Sequence, residues 1–244
     1  MDINKLTQII KTSKNTVFFG GAGVSTESNI PDFRSEAGLY SAQQKYGASP
    51  EELISIWCYD RDPELFFRYY KENLVYADAA PNAAHTALAQ LESLGLLSCI
   101  ITQNIDGLHQ AAGSKNVLEL HGTNSIWYCD GCGNKYDLQY GLSSNTIIPK
   151  CDDCNGTVRP DAVLYGESLD EDVMNAAVNA ITKADCLIIG GTSLVVYPAA
   201  GLIQYYRGQN LVLINKSTTP YDDHANLVIN DSIGKVLAGV TKDL

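Results

Sequence analysis

Four of the seven cysteines stand in two Cys-x-x-Cys pairs, a spacing that is typical of a metal site. Cys129 and Cys132 form the first pair, Cys151 and Cys154 form the second, and eighteen residues separate the pairs. Each pair can direct two thiolates at one ion, and four thiolates complete the tetrahedral coordination of Zn²⁺. Because sulfur would fill all four positions, none is left for an activated water molecule. The sequence therefore predicts a structural zinc site.

The charge of this segment argues against a zinc ribbon that binds nucleic acid. Residues 124–158 carry two lysines and four aspartates, and the whole chain has 17 basic and 28 acidic residues. A net charge of −11 disfavours nucleic acid and anionic membranes as partners. A basic peptide remains compatible with this charge.

A glycine-rich loop, Gly20-Gly21-Ala22-Gly23, follows the first predicted strand. Small residues at such a turn let backbone N–H groups approach a pyrophosphate. The third glycine of a dinucleotide motif is absent, and the strands that end nearby offer no acid to hold a ribose. The loop therefore indicates a nucleotide, but it gives little support to a hydride-transfer enzyme.

His121 is the histidine whose position best suits catalysis. It ends a predicted strand, and Gly122 after it would let a ligand approach closely. An ordinary imidazole pKa of about 6.5 suits a general base near neutral pH. Spacing alone leaves a packing role equally open. We expect His85, His109 and His224 to be structural or solvated.

Predicted strands alternate with predicted helices along most of the chain. Apolar runs predict strands at 16–19, 96–102, 117–120, near Val163, and at 186–189, 211–214 and 227–229. Helices are predicted over 2–13, 50–57, 63–77, 81–94 and 170–183, after Pro198 and from Ile233. This alternation favours an open parallel sheet covered on both faces. The chemically loaded segments all follow strands, so we expect them to meet in one cleft.

Targeting signals are not evident in the sequence. The first five residues lack the basic and apolar regions of a signal peptide, and no run of about 20 apolar residues occurs. We therefore expect a cytoplasmic protein whose cysteines form no disulfides. Cys58, Cys99 and Cys186 lie in apolar segments and are predicted to be core thiols.

Several longer motifs, taken in order, resemble those of the sirtuins, the NAD-dependent protein lysine deacylases. They are GAGVSTESNIPDFRSEAGLY, TQNIDGLH, ELHG, the paired CxxC, VLYGE and GTSLVVYPA. The resemblance covers essentially the whole chain, and it is greatest to the compact bacterial members of the family.

The resemblance implies an α/β fold in which a Rossmann-like parallel sheet carries helices on both faces. This large domain would comprise residues 1–36, 78–122 and 159–244. A small domain would combine a helical part, 37–77, with the zinc-binding part, 123–158. NAD and acyl-lysine would enter the cleft between them from opposite sides. The implied partners are acyl-lysine proteins or peptides, and the oligomeric state is left open, a monomer included.

The resemblance also assigns residues to NAD by motif matching. In chain order they are Ala22, Gly23, Thr26, Asp32, Phe33, Arg34, Gln103, Asn104, Ile105, Asp106, His121, Thr192, Ser193, Asn215, Ser232 and Ile233. Of these, Ala22, Gly23, Thr26 and Arg34 would contact the phosphates, and residues 103–106 would contact the ribose and nicotinamide. The residues from Thr192 onward would hold the pyrophosphate and adenosine end. Asp32 would support the loop, and Phe33 would shield the intermediate from returning nicotinamide.

The implied reaction breaks the bond between nicotinamide and ribose instead of transferring hydride. His121 and Asn104 would be catalytic, with His121 as the general base that leads to 2′-O-acyl-ADP-ribose. The substrate peptide would add as a strand at Val163, Tyr165, Gly166 and Val195. Two rival functions remain: an NAD-dependent mono-ADP-ribosyltransferase that uses the same cleft, and a non-catalytic NAD sensor.

Three positions depart from the family pattern. Tyr165 stands where phenylalanine is commoner, and Asn29 replaces a usual glycine. Sirtuins that prefer succinyl-lysine carry a Tyr-x-x-Arg pair, and the matching segment here runs from Tyr70 to Asn73. Without that arginine an acidic acyl chain lacks its bidentate partner, so we expect a preference for acetyl and other neutral acyl groups. Tyr70 is then predicted to be a core ring.

Overall fold

The computed structural model describes residues 2–32, 36–143, 146–242 and 244, and the side chains of residues 36–40 lie outside this description. The helices are α1 (Asp2–Thr12), α2 (Glu36–Tyr46), α3 (Pro50–Leu53), α4 (Ile56–Arg61), α5 (Pro63–Asn73), α6 (Ala83–Ser93), α7 (Leu108–Ala111), α8 (Leu138–Ser143), α9 (Glu171–Lys183) and α10 (Ile233–Lys242). The strands are β1 (Thr16–Gly20), β2 (Cys99–Thr102), β3 (Val117–Glu119), β4 (Gly122–Cys129), β5 (Lys135–Asp137), β6 (Val158–Ala162), β7 (Cys186–Gly190), β8 (Asn210–Ile214) and β9 (Leu227–Ile229).

Six strands form one parallel sheet in the order β3-β2-β1-β7-β8-β9. The chain runs outward from β1 through β2 to β3, and later outward on the other side from β7 to β9. The direction of winding therefore reverses between β1 and β7. Ligands of doubly wound sheets bind beyond the carboxyl ends of the strands at this reversal, so the order predicts where the site lies.

Helices cover both faces of this sheet, which confirms the predicted Rossmann-like α/β fold. On one face, α1, α6 and α10 bury apolar side chains such as Leu6, Leu88 and Leu237 against β1, β7 and β8. On the other face, α9 and a 3₁₀ helix, Ala199–Tyr205, pack Ile181 and Leu202 onto the sheet. The strands between them are buried on both faces, which explains their continuous apolar runs. Across the described residues, no helix is both long and apolar enough to cross a bilayer.

The remaining three strands form a separate antiparallel sheet in the order β5-β4-β6. Its core is aromatic: Trp127 of β4 is fully buried and packs against Phe67 and Tyr70 of α5. Tyr70 is a core ring as predicted, and its hydroxyl donates to Asn124 Oδ1 at 2.6 Å. The strand predicted near Val163 is β6, which pairs with β4 and not with the parallel sheet. The domain boundaries themselves remain a prediction.

Several predicted helices have different ends in the structure. The helix predicted over 50–57 is two short helices, because Ser49 and Ser55 each cap a new helix start. The helix predicted from Pro81 begins two residues later, since the Asn82 side chain accepts the Ala84 N–H at 2.8 Å. The segment after Pro198 is a 3₁₀ helix. Caps therefore determined the boundaries that apolar spacing left open.

Buried thiols and imidazoles lie inside the parallel-sheet domain. Cys99 and Cys186 are buried as predicted, whereas Cys58 on α4 is only half-buried. His85 and His109 are fully buried against each other, with ring centroids 4.8 Å apart. Burial, and secondarily the neighbouring His85, lowers the pKa of His109 to about 3. His109 is therefore a neutral core residue at physiological pH.

The buried His109 should make folding sensitive to mild acid. Its pKa is about 3 when folded and about 6.5 when unfolded, so the unfolded state binds the extra proton as pH falls below 6.5. Between pH 7.5 and 5.0 this linkage should lower the free energy of unfolding by about 2 kcal/mol. Urea unfolding at both pH values should show a smaller decrease for His109→Leu than for the native chain. Equal decreases would exclude this role of His109.

Candidate active site

A first cavity of about 330 Å³ lies beyond the carboxyl ends of β1, β7 and β8. Its lining residues come from the loops after these strands and from the start of α10: Gly23, Thr26, Glu27, Asp32, Gly191, Thr192, Ser193, Ile214, Asn215, Lys216, Ser217, Thr218, Thr219, Asp231 and Ile233. The Thr192 N–H donates to Asn215 Oδ1 at 3.0 Å, which joins the loops after β7 and β8. This cavity occupies the position that the strand order predicts for a ligand.

Glycines bring the loops after β1 and β7 into direct contact. The Gly23 N–H donates to the Gly191 carbonyl at 2.7 Å. A Cβ on Gly23 would lie 2.7 Å from the Gly191 Cα, and Gly191 itself has a φ of +62°. Side chains at either position would separate the loops. The glycine-rich stretch therefore builds the floor of the cavity by loop packing.

A second cavity of about 250 Å³ opens between the parallel sheet and the small antiparallel sheet. Its polar lining residues are Ser25, Asn73, Gln103, Asn104, Asp106, His121, Asn124 and Glu167. The remainder of its lining is mainly apolar and includes Ile30, Pro31, Ile54, Leu74, Val75, Ile105, Leu138, Val163, Leu164, Leu169, Val196 and Pro198. A long apolar side chain with one polar end matches this arrangement.

A short hydrogen-bond chain fixes the polar groups of the second cavity. Asn104 Nδ2 donates to Ser25 Oγ at 3.0 Å, and Ser25 Oγ donates to Asp106 Oδ2 at 2.6 Å. Asp106 Oδ1 also accepts the Leu108 N–H at 2.9 Å, at the start of α7. Because both carboxylate oxygens are bonded, Asp106 has a fixed orientation. Ser25, which follows the glycine-rich loop, therefore connects the Asn104 amide to the Asp106 carboxylate.

His121 lies in the same cavity with its ring tautomer determined by the backbone. His121 Nδ1 is 2.9 Å from the carbonyl oxygen of Gln103. A carbonyl only accepts, so Nδ1 carries the proton and the lone pair is on Nε2. Gln103 also donates from Nε2 to Thr192 Oγ1 at 3.2 Å, which links this cavity to the first one. The imidazole is thus oriented as a general base requires.

Gly122 packs against the neighbouring strand β6 so closely that no side chain fits. Gly122 has a φ of +72°, and a Cβ there would lie 2.1 Å from the Asp161 carbonyl oxygen of β6. The glycine is therefore needed for close approach of a neighbouring strand, and the expected close approach of a ligand stays a prediction.

The four paired cysteines converge at one end of the small sheet. Their sulfur atoms all lie within 4.8 Å of one another, with Cys129–Cys154 at 3.4 Å and Cys132–Cys151 at 3.6 Å. Tetrahedral Zn²⁺ with Zn–S bonds of about 2.3 Å needs sulfurs about 3.8 Å apart. All seven cysteines are free thiols. The cluster therefore fits a structural zinc ion held by four sulfurs.

Comparison with known proteins identifies the family of this chain. The family model described as the Sir2 family matches residues 21–198. The chain belongs to the Sir2 family. An NAD-dependent protein deacetylase of Clostridium perfringens is 61% identical over 239 residues, covering 98% of each chain.

Solved structures of the Sir2 family share the whole fold. A Sir2 homologue–NAD complex has a TM-score of 0.88 and 39% identity, covering 98% of this chain and 93% of that one. Sir2 bound to acetylated peptide has a TM-score of 0.86 and 38% identity, covering 100% of this chain and 98% of that one. The resemblance to sirtuins in the sequence motifs is confirmed.

The Sir2 fold brings most of the predicted site residues to the two cavities. The first is lined by Gly23, Thr26, Asp32, Thr192, Ser193, Asn215 and Ile233, and the second by Ala22, Gln103, Asn104, Ile105, Asp106, His121, Val163, Tyr165 and Gly166. Phe33 and Arg34 lie outside the described residues. Ser232 is beside the first cavity, where its hydroxyl donates to Glu27 Oε2 at 3.4 Å. Val195 is exposed, and its neighbour Val196 lines the second cavity instead.

Other lining residues were not identified from the sequence. The first cavity includes Glu27 and the loop 216–219, and the second includes residues 74–76 after α5 and Leu138 at the start of α8. Glu27 lies inside the first sirtuin-like motif, where no role was assigned to it, whereas the other residues belong to no quoted motif and to elements far apart in the chain. Lys216 and Ser217 directly follow Asn215 at the end of β8, and this position after a strand is the signal that marks them in the sequence.

Proposed function

We propose that this protein is an NAD-dependent protein lysine deacetylase. It would transfer the acetyl group from lysine to ADP-ribose and release nicotinamide. One observation carries the proposal: the backbone-oriented His121 lines the same cavity as the Asn104–Ser25–Asp106 chain and is held by Gln103, which also bonds Thr192 of the first cavity. The name of the 61% identical relative supports the same activity.

NAD would span both cavities. The adenosine and pyrophosphate would occupy the first cavity, whose floor is formed by the packed loops of Gly23 and Gly191 at the strand ends. The nicotinamide ribose would reach the second cavity past Gln103, with the nicotinamide near Ile105 and Asp106. The acyl-lysine would fill the apolar part of the second cavity from the other side.

The reaction would proceed in two displacements. The acyl oxygen attacks the ribose carbon as nicotinamide leaves with the electrons of the broken bond. His121 Nε2 then takes a proton from the ribose hydroxyls, so that one of them attacks the acyl carbon. Water completes the release of free lysine and 2′-O-acetyl-ADP-ribose. Fixed dipoles such as Asn104 and the carboxylate of Asp106 suit the positive charge that develops on the sugar.

The substrate peptide would add as a strand at Gly166. Tyr165 is already paired on one side, since its N–H donates to Ile54 O at 3.0 Å and its carbonyl accepts from Ile56 N at 2.9 Å. Within the described chain, the N–H and C=O of Gly166 have no hydrogen-bond partner. Main-chain pairing of this kind tolerates many sequences. Proteins that carry acetyl-lysine in many different sequences are therefore the proposed partners.

The free thiols favour a reducing compartment such as the cytoplasm.

An acetyl-lysine peptide incubated with and without NAD tests the proposal. We expect deacetylation only with NAD, together with release of nicotinamide, both measured by mass spectrometry. A gain of ADP-ribose on the peptide or protein would instead support the ADP-ribosyltransferase. Binding of NAD without nicotinamide release, with acetyl and longer acyl peptides alike, would support the sensor.

The acyl preference should follow from the missing arginine. Asn73 lines the second cavity at the end of α5, and no arginine is among the described lining residues. A succinyl carboxylate would be buried there without a cationic partner. We expect kcat/KM for a succinyl-lysine peptide to be about 10- to 100-fold below that for acetyl-lysine.

A butyryl-lysine peptide of the same sequence separates charge from length. It is neutral and similar in length to succinyl, so it should be hydrolysed better than the succinyl peptide. Asn73→Arg should raise succinyl activity relative to acetyl. If the native protein removed succinyl as fast as acetyl, the predicted preference for neutral acyl groups would be wrong.

A further inference from the structure

An ion pair between a buried arginine and a partly exposed glutamate lies directly under the segment that would bind the substrate peptide. Arg159 of β6 is only 4% exposed, and its two terminal nitrogens donate to Glu167 Oε1 at 2.8 Å and Oε2 at 2.9 Å. This bidentate geometry is the strongest form of an arginine–carboxylate contact. Burying the arginine costs desolvation energy, and the packing described so far does not require it there.

The pair holds the turn that joins β6 to the peptide edge. Glu167 Oε2 accepts the backbone N–H of Leu164 at 2.8 Å, and Arg159 Nη2 donates to the carbonyl of Ala162 at 3.3 Å. The Glu167 N–H also donates to the Leu164 carbonyl at 3.0 Å. The ion pair therefore contacts the backbone on both sides of Val163. These bonds determine the shape of residues 162–167.

The other side of Arg159 is held by aromatic rings. Its guanidinium lies 5.0 Å from the ring centroid of Tyr59 on α4 and 5.8 Å from that of Tyr128 on β4. The Tyr59 hydroxyl donates to Asp130, which lies between the first two cysteines of the cluster. Arg159 thus connects the small domain to the turn through rigid contacts.

We infer that Arg159 and Glu167 are positioning residues for peptide binding. The pair sets the backbone of residues 163–166 in the shape that exposes the N–H and C=O of Gly166 to the substrate strand. This inference rests on the proposed deacetylase activity. It predicts that weakening the pair affects the peptide and leaves NAD binding unchanged, because the hydrogen bonds of the pair reach only Ala162 and Leu164, and none reaches the first cavity or residues 103–106, where the nicotinamide ribose would lie.

Glu167→Gln tests the inference with a minimal change of shape. The amide keeps one acceptor oxygen and turns the other position into a donor, so Arg159 loses one of its two bonds in either orientation, and in one orientation the Leu164 N–H loses its partner as well. Loss of one charge-assisted bond should raise the peptide KM about tenfold. The KM for NAD should stay within about twofold. Hydrogen exchange of the Leu164 amide, followed by mass spectrometry, should accelerate.

Two further variants control the measurement. Lys45→Met breaks an exposed ion pair with Glu72 on the same small domain and should change neither KM. Arg159→Lys keeps the positive charge but loses the bidentate geometry of the guanidinium. It should raise the peptide KM less than Glu167→Gln. It also supplies the test if Glu167→Gln does not fold.

The outcomes separate this inference from the proposed function. An unchanged peptide KM with unchanged Leu164 exchange in the folded variant would overturn the positioning role. Equal rises in the KM for peptide and for NAD would also overturn it, as a general loss of structure. If the native protein shows no NAD-dependent turnover, the proposed function fails and the positioning role for peptide fails with it.

Discussion

Replacing His121 by alanine is expected to reduce deacetylation by about 10²- to 10⁴-fold, the usual contribution of a general base. The carbonyl of Gln103 holds the ring by a 2.9 Å contact to Nδ1 and puts the lone pair on Nε2. Alanine removes the imidazole that would take the proton from the ribose hydroxyls. Steady-state assays with an acetyl-lysine peptide and NAD measure this effect as a decrease in kcat.

His224→Ala is the matched control, because His224 is an exposed imidazole in a surface turn. It should retain native activity. The melting temperature of His121→Ala should be close to that of the native chain, since the side chain lines a cavity and does not fill the core. A His121→Ala variant that deacetylates at the native rate would remove His121 from the mechanism.

Replacing Cys151 by serine is expected to release zinc and unfold the small antiparallel sheet. A four-thiolate site contributes roughly 10–16 kcal/mol at neutral pH, which is comparable with the whole stability of a domain. Cys151 is buried and belongs to the same core as Trp127. Zinc content should fall to near zero, and the Trp127 emission should shift to longer wavelength as the ring becomes exposed.

Cys58→Ser provides the matched control for this second prediction. Cys58 is a half-buried thiol on α4 outside the cluster, so its loss should leave zinc content and fluorescence unchanged. A strong chelator added to the native protein should reproduce the Cys151→Ser spectrum, and added Zn²⁺ should reverse it. Full zinc binding by Cys151→Ser at native stability would show that the cluster is not the metal site.

The parallel sheet and the positions of the main chemical groups could be predicted from the sequence. Buried parallel strands are continuous apolar runs, and their carboxyl ends share one edge, so the residues after β1, β2, β3, β7 and β8 had to converge. The cysteine spacing likewise predicted the cluster, because two short knuckles bring four thiolates together by local geometry. Each apolar run and each Cys-x-x-Cys pair is local in the chain, so periodicity and spacing are sufficient to find them, and the parallel sheet then brings the strand ends together.

The second sheet was not predicted, although β4 is eight residues long. Its pairing with β6 changes register between Thr123 and Trp127, which breaks the apolar–polar alternation that identifies a strand. Its partner strand begins 29 residues after Cys129, beyond the reach of any local pattern. Tyr70 shows the same limit: its ring could be predicted to be buried, but its hydrogen bond to Asn124 could not.

The sequence by itself determined that the large sheet is parallel and covered by helices on both faces, that four cysteines form one cluster, and which polar residues follow the strands. Only the tertiary structure decided the apolar lining of the second cavity, the tautomer of His121, and the close strand packing that requires Gly122. It also decided the ion pair beneath residues 163–166. Each of these depends on contacts between elements far apart in the chain. Such contacts are selected by packing and by the pairing of buried polar groups, which no local pattern encodes.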